Sequence, residues 1–190
     1  MVLLTLLGGC GESGSTGSAD RLGTPGATLP AVTAIPRSSG SPTGAPIPTD
    51  GTEGALGRAA VRAYQAWSQA QVEAFGRSDS DSSQLVASST GPALSESLAT
   101  LYRLREAKLV MIGAPRNSPV LKALDPGAKP PTAVIEDCVD VSDWHQADAG
   151  SKAIKDPERR LSRYVATVGL RLDGSRWLIT DFKREVDRTC

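Results

Sequence analysis

The placement of the aromatic residues sets the limits of any fold this chain can adopt. All eight lie between Tyr64 and Phe182, and the first 63 residues hold none. A segment without aromatics and without regular apolar spacing cannot bury enough surface to offset the entropy of ordering it. The core must therefore be built after about residue 55, which leaves a stretch long enough for a self-supporting domain. Charge narrows the function classes. The chain has 21 basic and 21 acidic side chains, of which residues 55–190 hold 19 and 17. That excess is small and scattered, whereas nucleic-acid binding needs a concentrated basic face. No apolar run approaches the roughly 20 residues that span a bilayer.

The first ten residues carry an address. Val2-Leu3-Leu4-Thr5-Leu6-Leu7 reads as the tail of a secretory apolar region, and Leu7-Gly8-Gly9-Cys10 follows it. This resembles the bacterial lipobox, in which a branched apolar residue and two small residues lead to Cys. The resemblance implies a signal peptide over residues 1–9, cleavage before Cys10 and a diacylglyceryl group on the Cys10 thiol. No Lys or Arg precedes the apolar run, so the expectation is of a leader truncated at its start.

Residues 10–54 then read as the lipidated Cys and a linker. Between Gly11 and Gly54 there are nine Gly and six Pro, with many Ser and Thr. That composition predicts a disordered, solvated tether, spanning on the order of 40 Å root-mean-square. A polyproline ligand at Ile35-Pro36-Arg37 or Pro46-Ile47-Pro48 is the alternative.

Residues 55–190 carry the patterned segments. Over Leu56 to Phe75, the residues Val61, Tyr64, Ser68, Val72 and Phe75 fall near one helical face, with Ala60 and Trp67 beside them. Ser83 to Ser88 reads as a short helical turn. Thr90-Gly91-Pro92 opens a further helix, since Pro suits a first turn, and Leu94, Leu98 and Leu101 form its stripe. The period then changes to two. Strands are predicted at Leu109–Gly113, Val120–Leu124, Val134–Val141 and Arg163–Leu172, with Pro115 to Pro119 as a break. Asp173-Gly174 is a hairpin turn. The returning strand is expected to show Trp177, Ile179 and Asp181 on one side and Leu178, Thr180 and Phe182 on the other. Helices first and an antiparallel meander afterwards predict an α+β fold.

Three Cys residues are present. With Cys10 assigned to lipid, Cys138 and Cys190 form an even pair in an exported domain and point to a disulfide. Such a bond would pin the polar C-terminal end and lay the final strand beside the third. Metal ligation is the rival reading, but two Cys and one His fall short of four spaced ligands. No metal and no cofactor is expected.

The element order resembles the nuclear transport factor 2-like (cystatin-like cone) superfamily. Glu136-Asp137-Cys138-Val139-Asp140, Trp144, the stretch from Asp173 to Asp181 and the final Cys190 resemble secreted lipoproteins of high-GC Gram-positive bacteria. The resemblance implies helices packed on a curved, cone-like antiparallel sheet over roughly residues 55–190. The wider superfamily holds isomerases, dehydratases and cyclases beside non-catalytic binding domains, so fold does not choose a function.

No catalytic constellation stands out. The candidate polar groups of a cone pocket are Asp181 and the single histidine, His145. Asp181 shares a predicted face with Trp177 and Ile179; pairing with Arg163 or Arg171, or exposure near the sheet end, is its structural reading. His145 follows Trp144 and opens a polar loop to Arg160, where a solvated histidine is the structural reading. Tyr64, Trp67 and Phe75 are the candidate apolar lining. Asp137, Asp140 and Asp143 lack the Gly and distal Glu of a calcium loop and read as strand-edge and turn residues. The expectation is an extracytoplasmic lipoprotein on the outer face of the cell membrane, with a non-catalytic binding or assembly domain. Its partners would be the membrane through Cys10, and an envelope protein or a small apolar ligand. A small-molecule enzyme or carrier, and a homodimerisation domain joined through its sheet, are the alternatives.

Overall fold

The computed structural model describes residues 49–78 and 81–190. The expected leader, Cys10 and the linker up to residue 48 lie outside the described residues. Among the described residues three helices come first: α1 (Gly51–Arg77), α2 (Ser83–Ser88) and α3 (Gly91–Glu106). Six strands follow: β1 (Leu109–Gly113), β2 (Arg116–Asp125), β3 (Thr132–Asp140), β4 (Trp144–Asp148), β5 (Arg163–Asp173) and β6 (Arg176–Glu185). One sheet has the order β2-β3-β5-β6, the other pairs β1 with β4, and every pairing is antiparallel. This is the α+β architecture that the change of period predicts.

Helix α1 begins four residues before the predicted boundary at 55. Composition assigned Gly51 to Gly54 to the linker, yet the Gly54 amide donates to the Asp50 carbonyl and Glu53 complements the helix dipole. The buried face runs through Gly57, Ala60, Tyr64, Trp67, Ser68, Ala74 and Phe75. Ala60, Tyr64 and Trp67 join Ile135, Val168, Leu170, Trp177 and Ile179 in the main core. Phe75 joins Leu85, Leu101 and Leu104 in a second cluster under α2 and α3. Each large side chain buried in this way stabilises the fold by about 1.5–3 kcal/mol.

Beside a register shift between Leu121 and Ala123 in the β2–β3 pair, the described strands depart from expectation in three places. First, β2 starts at Arg116 and carries Pro119 inside it, where a break was predicted. The strand lies at the sheet edge, the one place where a residue without an N–H is tolerated. Second, Trp144 to Asp148 forms β4, where a polar loop was predicted from His145 onward. Its composition carries no strand pattern; the ladder with β1 holds it extended. Gly113 at the end of β1 is bound to that pairing. Its φ is +77°, and a Cβ there would sit 1.7 Å from the Asp143 carbonyl oxygen.

Third, the β5–β6 register shifts: Gly169 faces Asp181, whereas Leu170 faces Ile179. Thr180 is the extra residue of a bulge. Alternation is broken there, so Phe182 packs into the core with Trp177 and Ile179, while Asp181 is exposed. The predicted sharing of one face by Trp177, Ile179 and Asp181 is therefore corrected.

Cys138 and Cys190 are joined in a disulfide, with Cα atoms 5.9 Å apart. Metal ligation by this pair is thereby replaced. The expected adjacency of the final and third strands is not found, since β5 lies between β3 and β6. Instead the residues after β6 turn back over β5. The Val165 amide donates to the Arg188 carbonyl at 3.1 Å, and Arg188 pairs with Glu136 of β3 at 3.1 Å.

Candidate functional site

A cavity of about 640 Å³ opens between α1, α3 and the inner faces of the two sheets. Its size falls in the usual range for small-molecule sites. Helix α1 contributes Tyr64, Trp67, Ser68, Gln71 and Phe75, spaced so that they share one face. The strands contribute Trp144, Tyr164 and Phe182. Six of the chain's eight aromatic residues thus line one cavity. Trp67 packs on Phe182 with ring centroids 5.3 Å apart, and Phe75 stacks on Trp144 at 6.2 Å.

Beneath the Tyr64 end lies a buried polar network. Asp137 alternates in β3 with Ala133, Ile135 and Val139 and is fully buried. Its Oδ2 accepts from the Tyr64 hydroxyl and from Asn117 Nδ2, both at 2.6 Å, and its Oδ1 accepts from the Ser118 amide. Ser68 Oγ donates to Asn117 Oδ1 at 3.0 Å, and Asn117 Nδ2 also reaches the Tyr64 oxygen at 3.1 Å. Three donors thus surround a group whose oxygens are acceptors. Burial, then the Asp137 charge, push the Tyr64 phenol far above its ordinary value, so it stays a donor. Burial likewise raises the Tyr164 phenol, although the Arg184 cation, 5.2 Å from the ring centroid, opposes the rise.

The acidic neighbourhood of Asp137 points to strand-edge chemistry, whereas the fold buries it. The period-two spacing that marks Ile135 and Val139 as interior also covers Asp137, and that signal could have found it. Asp140 ends β3, an interior strand, and is buried, and Asp143 lies in the turn before β4; both pair with Arg116, at 3.7 and 2.9 Å.

The mouth of the cavity is charged. Arg103, Arg184, Glu96 and Asp181 are among the residues that line it, and Lys183, between Phe182 and Arg184 in β6, is paired in register with Thr167. Of the sequence candidates, Tyr64, Trp67 and Phe75 all line the cavity. Asp181 lies at its exposed mouth and is not the interior carboxylate. His145 is not part of it. Trp144 and Gln146 point to the cavity, and His145 falls between them on the opposite side of β4. There its Nδ1 is 2.6 Å from Asp156 Oδ2, which also holds Arg160 at 2.8 Å. Arg160 further donates to the carbonyls of Val141 and Trp144. Burial works against the Asp156 charge, but the His145 contact, the Gln146 amide and Arg160 outweigh it and hold the carboxyl below its ordinary range. This cluster fastens the 149–162 loop to β4 and has no access to the cavity.

Among the described residues, four buried side-chain polar atoms lack a hydrogen-bond partner: the indole nitrogens of Trp67, Trp144 and Trp177, and Arg171 Nε. All four are donors, and Trp67 and Trp144 belong to the cavity wall.

No family model matches the chain, and no curated protein does. Among solved structures the chain is similar to the intermembrane space region of the chloroplast protein ARC6. Identity is 16% and the TM-score 0.44, over 67% of this chain and 95% of that one. The Cys138–Cys190 bond is consistent with an extracytoplasmic location, where thiols are kept oxidised.

Proposed function

We propose that this chain is a lipid-anchored extracytoplasmic protein whose domain binds a small molecule in the aromatic cavity without transforming it. The observation that carries the reading is the convergence of six aromatic side chains on one cavity of ligand size. Packed cores do not leave such a space between aromatic rings without cost, because each unfilled surface forfeits dispersion contacts. The reading is of binding and not catalysis because the fully buried carboxylate, Asp137, already serves three donors. A dimerisation domain would present an apolar sheet; the outer face here carries Lys122, Glu136, Thr167, Glu185 and Arg188, linked to one another. The anchor rests on the Leu7-to-Cys10 motif and the Gly/Pro/Ser-rich stretch behind it, and the cone-superfamily resemblance agrees with a pocket-bearing α+β domain.

Native mass spectrometry of the full chain from its own cell envelope tests the reading. A bound small molecule is expected in the parent protein and lost in Phe182→Ala. Parent protein carrying no non-covalently bound molecule, with the variant indistinguishable from it, would count against a binding domain.

A further inference from the structure

We propose that the molecule held in the cavity is a short peptide in extended form, added to the sheet as a strand beside β6; this rests on the reading of the domain as a binding domain and names the class of ligand. The lining of the cavity points to an edge. Asp181, Phe182, Lys183 and Arg184, four consecutive residues, all border it. Phe182 and Arg184 do so from the inner face, in register with Val168 and Ala166, both fully buried. Asp181 and Lys183 alternate with them, in register with Gly169 and Thr167 on the other face. Residues of both faces can border one cavity only where it runs along the edge of the strand. β6 is the last strand of its sheet, so that edge has no strand beyond it.

The edge is covered in its first half and open in its second. Ser89 forms a parallel bridge with Ile179, and the Thr90 amide donates to the Ile179 carbonyl at 2.8 Å. From Asp181 to Arg184, among the described residues, no backbone hydrogen bond runs to anything but β5. Alternate residues of an antiparallel strand turn both N–H and C=O away from the partner, a pattern that another extended backbone matches. The opposite edge of the sheet is protected, since β2 carries Pro119 and a register shift between Leu121 and Ala123. β6 has no Pro and keeps regular register from Asp181 to Glu185. The floor of the cavity then chooses a side chain. Phe182, Trp144 and Met111 are only half-buried, so they keep surface for a ligand. A residue opposite Phe182 in an added strand lies about 5 Å from it and points the same way, into the cavity. A large apolar or aromatic residue suits that position. Asp181 to Arg184 span about 13 Å, the length of about four peptide residues, which keeps the ligand small.

Affinity selection by the full chain carrying Cys10→Ala, from a pooled library of acetylated, amidated tetrapeptides, tests this. The retained pool is expected to be enriched in Phe, Tyr, Trp or Leu at one position. N-methylation of an amide of a retained peptide that faces β6 should weaken it about tenfold, the loss of one hydrogen bond, so a methyl scan should show loss at alternate positions. Hydrogen exchange carries the second readout. The amides between Asp181 and Arg184 that point away from β5 should gain protection in the complex. A ring lodged on the floor of the cavity without strand pairing would not move them. A retained peptide that tolerates methylation at every position, or that leaves those amides unprotected, overturns strand addition and leaves the cavity as a binding site. No retained peptide, beside a non-peptide molecule bound to the parent protein in native mass spectrometry, overturns the peptide alone. No retained peptide and no bound molecule overturns this proposal together with the reading it rests on.

Discussion

Asp137 shows how a single residue can join stability to a site. Its carboxylate has no exposed surface and three donors, one from α1 and two from adjacent residues of β2: the Tyr64 hydroxyl, the Asn117 side chain and the Ser118 amide. Hydrogen bonds to charged groups contribute about 1.5–3 kcal/mol each, and a stranded buried partner costs about 1–3. Asp137→Ala strands the Tyr64 hydroxyl, the Asn117 amide and the Ser118 N–H, so it should lower stability by about 3 kcal/mol or more in urea unfolding. Tyr64→Phe removes one donor and should cost about 1–2 kcal/mol. Midpoints unchanged from the parent would show that the network contributes nothing. Asp140 supplies a pH test. Hydrogen bonds from the Ser142 hydroxyl, then from the Ser142 amide, then Arg163, hold its carboxyl at about 2 against an ordinary 3.8. The folded-state value is depressed, so the unfolded chain takes up the proton first. The stabilisation is full above pH 3.8 and is lost as pH falls through about 2. Asp140→Asn should therefore flatten the fall of stability across that window; a curve parallel to the parent's would refute the assignment.

At the scale of elements, two irregularities decide where side chains go. The Thr180 bulge exchanges Asp181 for Phe182 on the interior and so supplies one aromatic wall of the cavity. The C-terminal tail, polar apart from Val186, is held by chemistry other than burial. Val186 is 61% exposed, and the tail is fixed by the Cys138 bond, the Arg188 ion pairs and one backbone contact to Val165. Cys190→Ser should cost about 2–5 kcal/mol, the range for native bonds in small exported domains. The Val165 amide should also lose protection from hydrogen exchange, because its acceptor is the Arg188 carbonyl. Undiminished protection at Val165 would mean that the ion pairs alone hold the tail.

For the whole molecule, the address in the first ten residues and the cavity in the domain are separate proposals with separate tests. Behind a complete leader, the mature chain should carry a diacylglyceryl mass on Cys10, and Cys10→Ala should leave the protein unprocessed or free in the medium. A mature chain with an unmodified Cys10 thiol would remove the anchor without touching the binding reading. Conversely, an empty cavity would leave a lipoprotein of another function.

Local patterning was enough for much of this fold. The 3.6-residue spacing of Tyr64, Ser68 and Phe75, the Pro at the start of α3, the alternation of β5 and the Asp173-Gly174 turn are all short-range signals, and each element formed where they placed it, except that α1 starts earlier, at Gly51. The Cys pair was legible because parity and an exported context leave few partners. What failed was whatever depends on a neighbouring strand. β4 has no pattern of its own and exists because β1 pairs with it. The bulge at Thr180 is a property of the β5–β6 register, and alternation read from β6 alone carries Asp181 inward in error. The sheet order, with β5 between the strand of Cys138 and β6, was likewise invisible, since pairing energy is spent between segments distant in the chain. The buried role of Asp137 needed both kinds of information: its interior face follows from period two, but its three donors, 73, 20 and 19 residues away, are brought to it only by the tertiary fold.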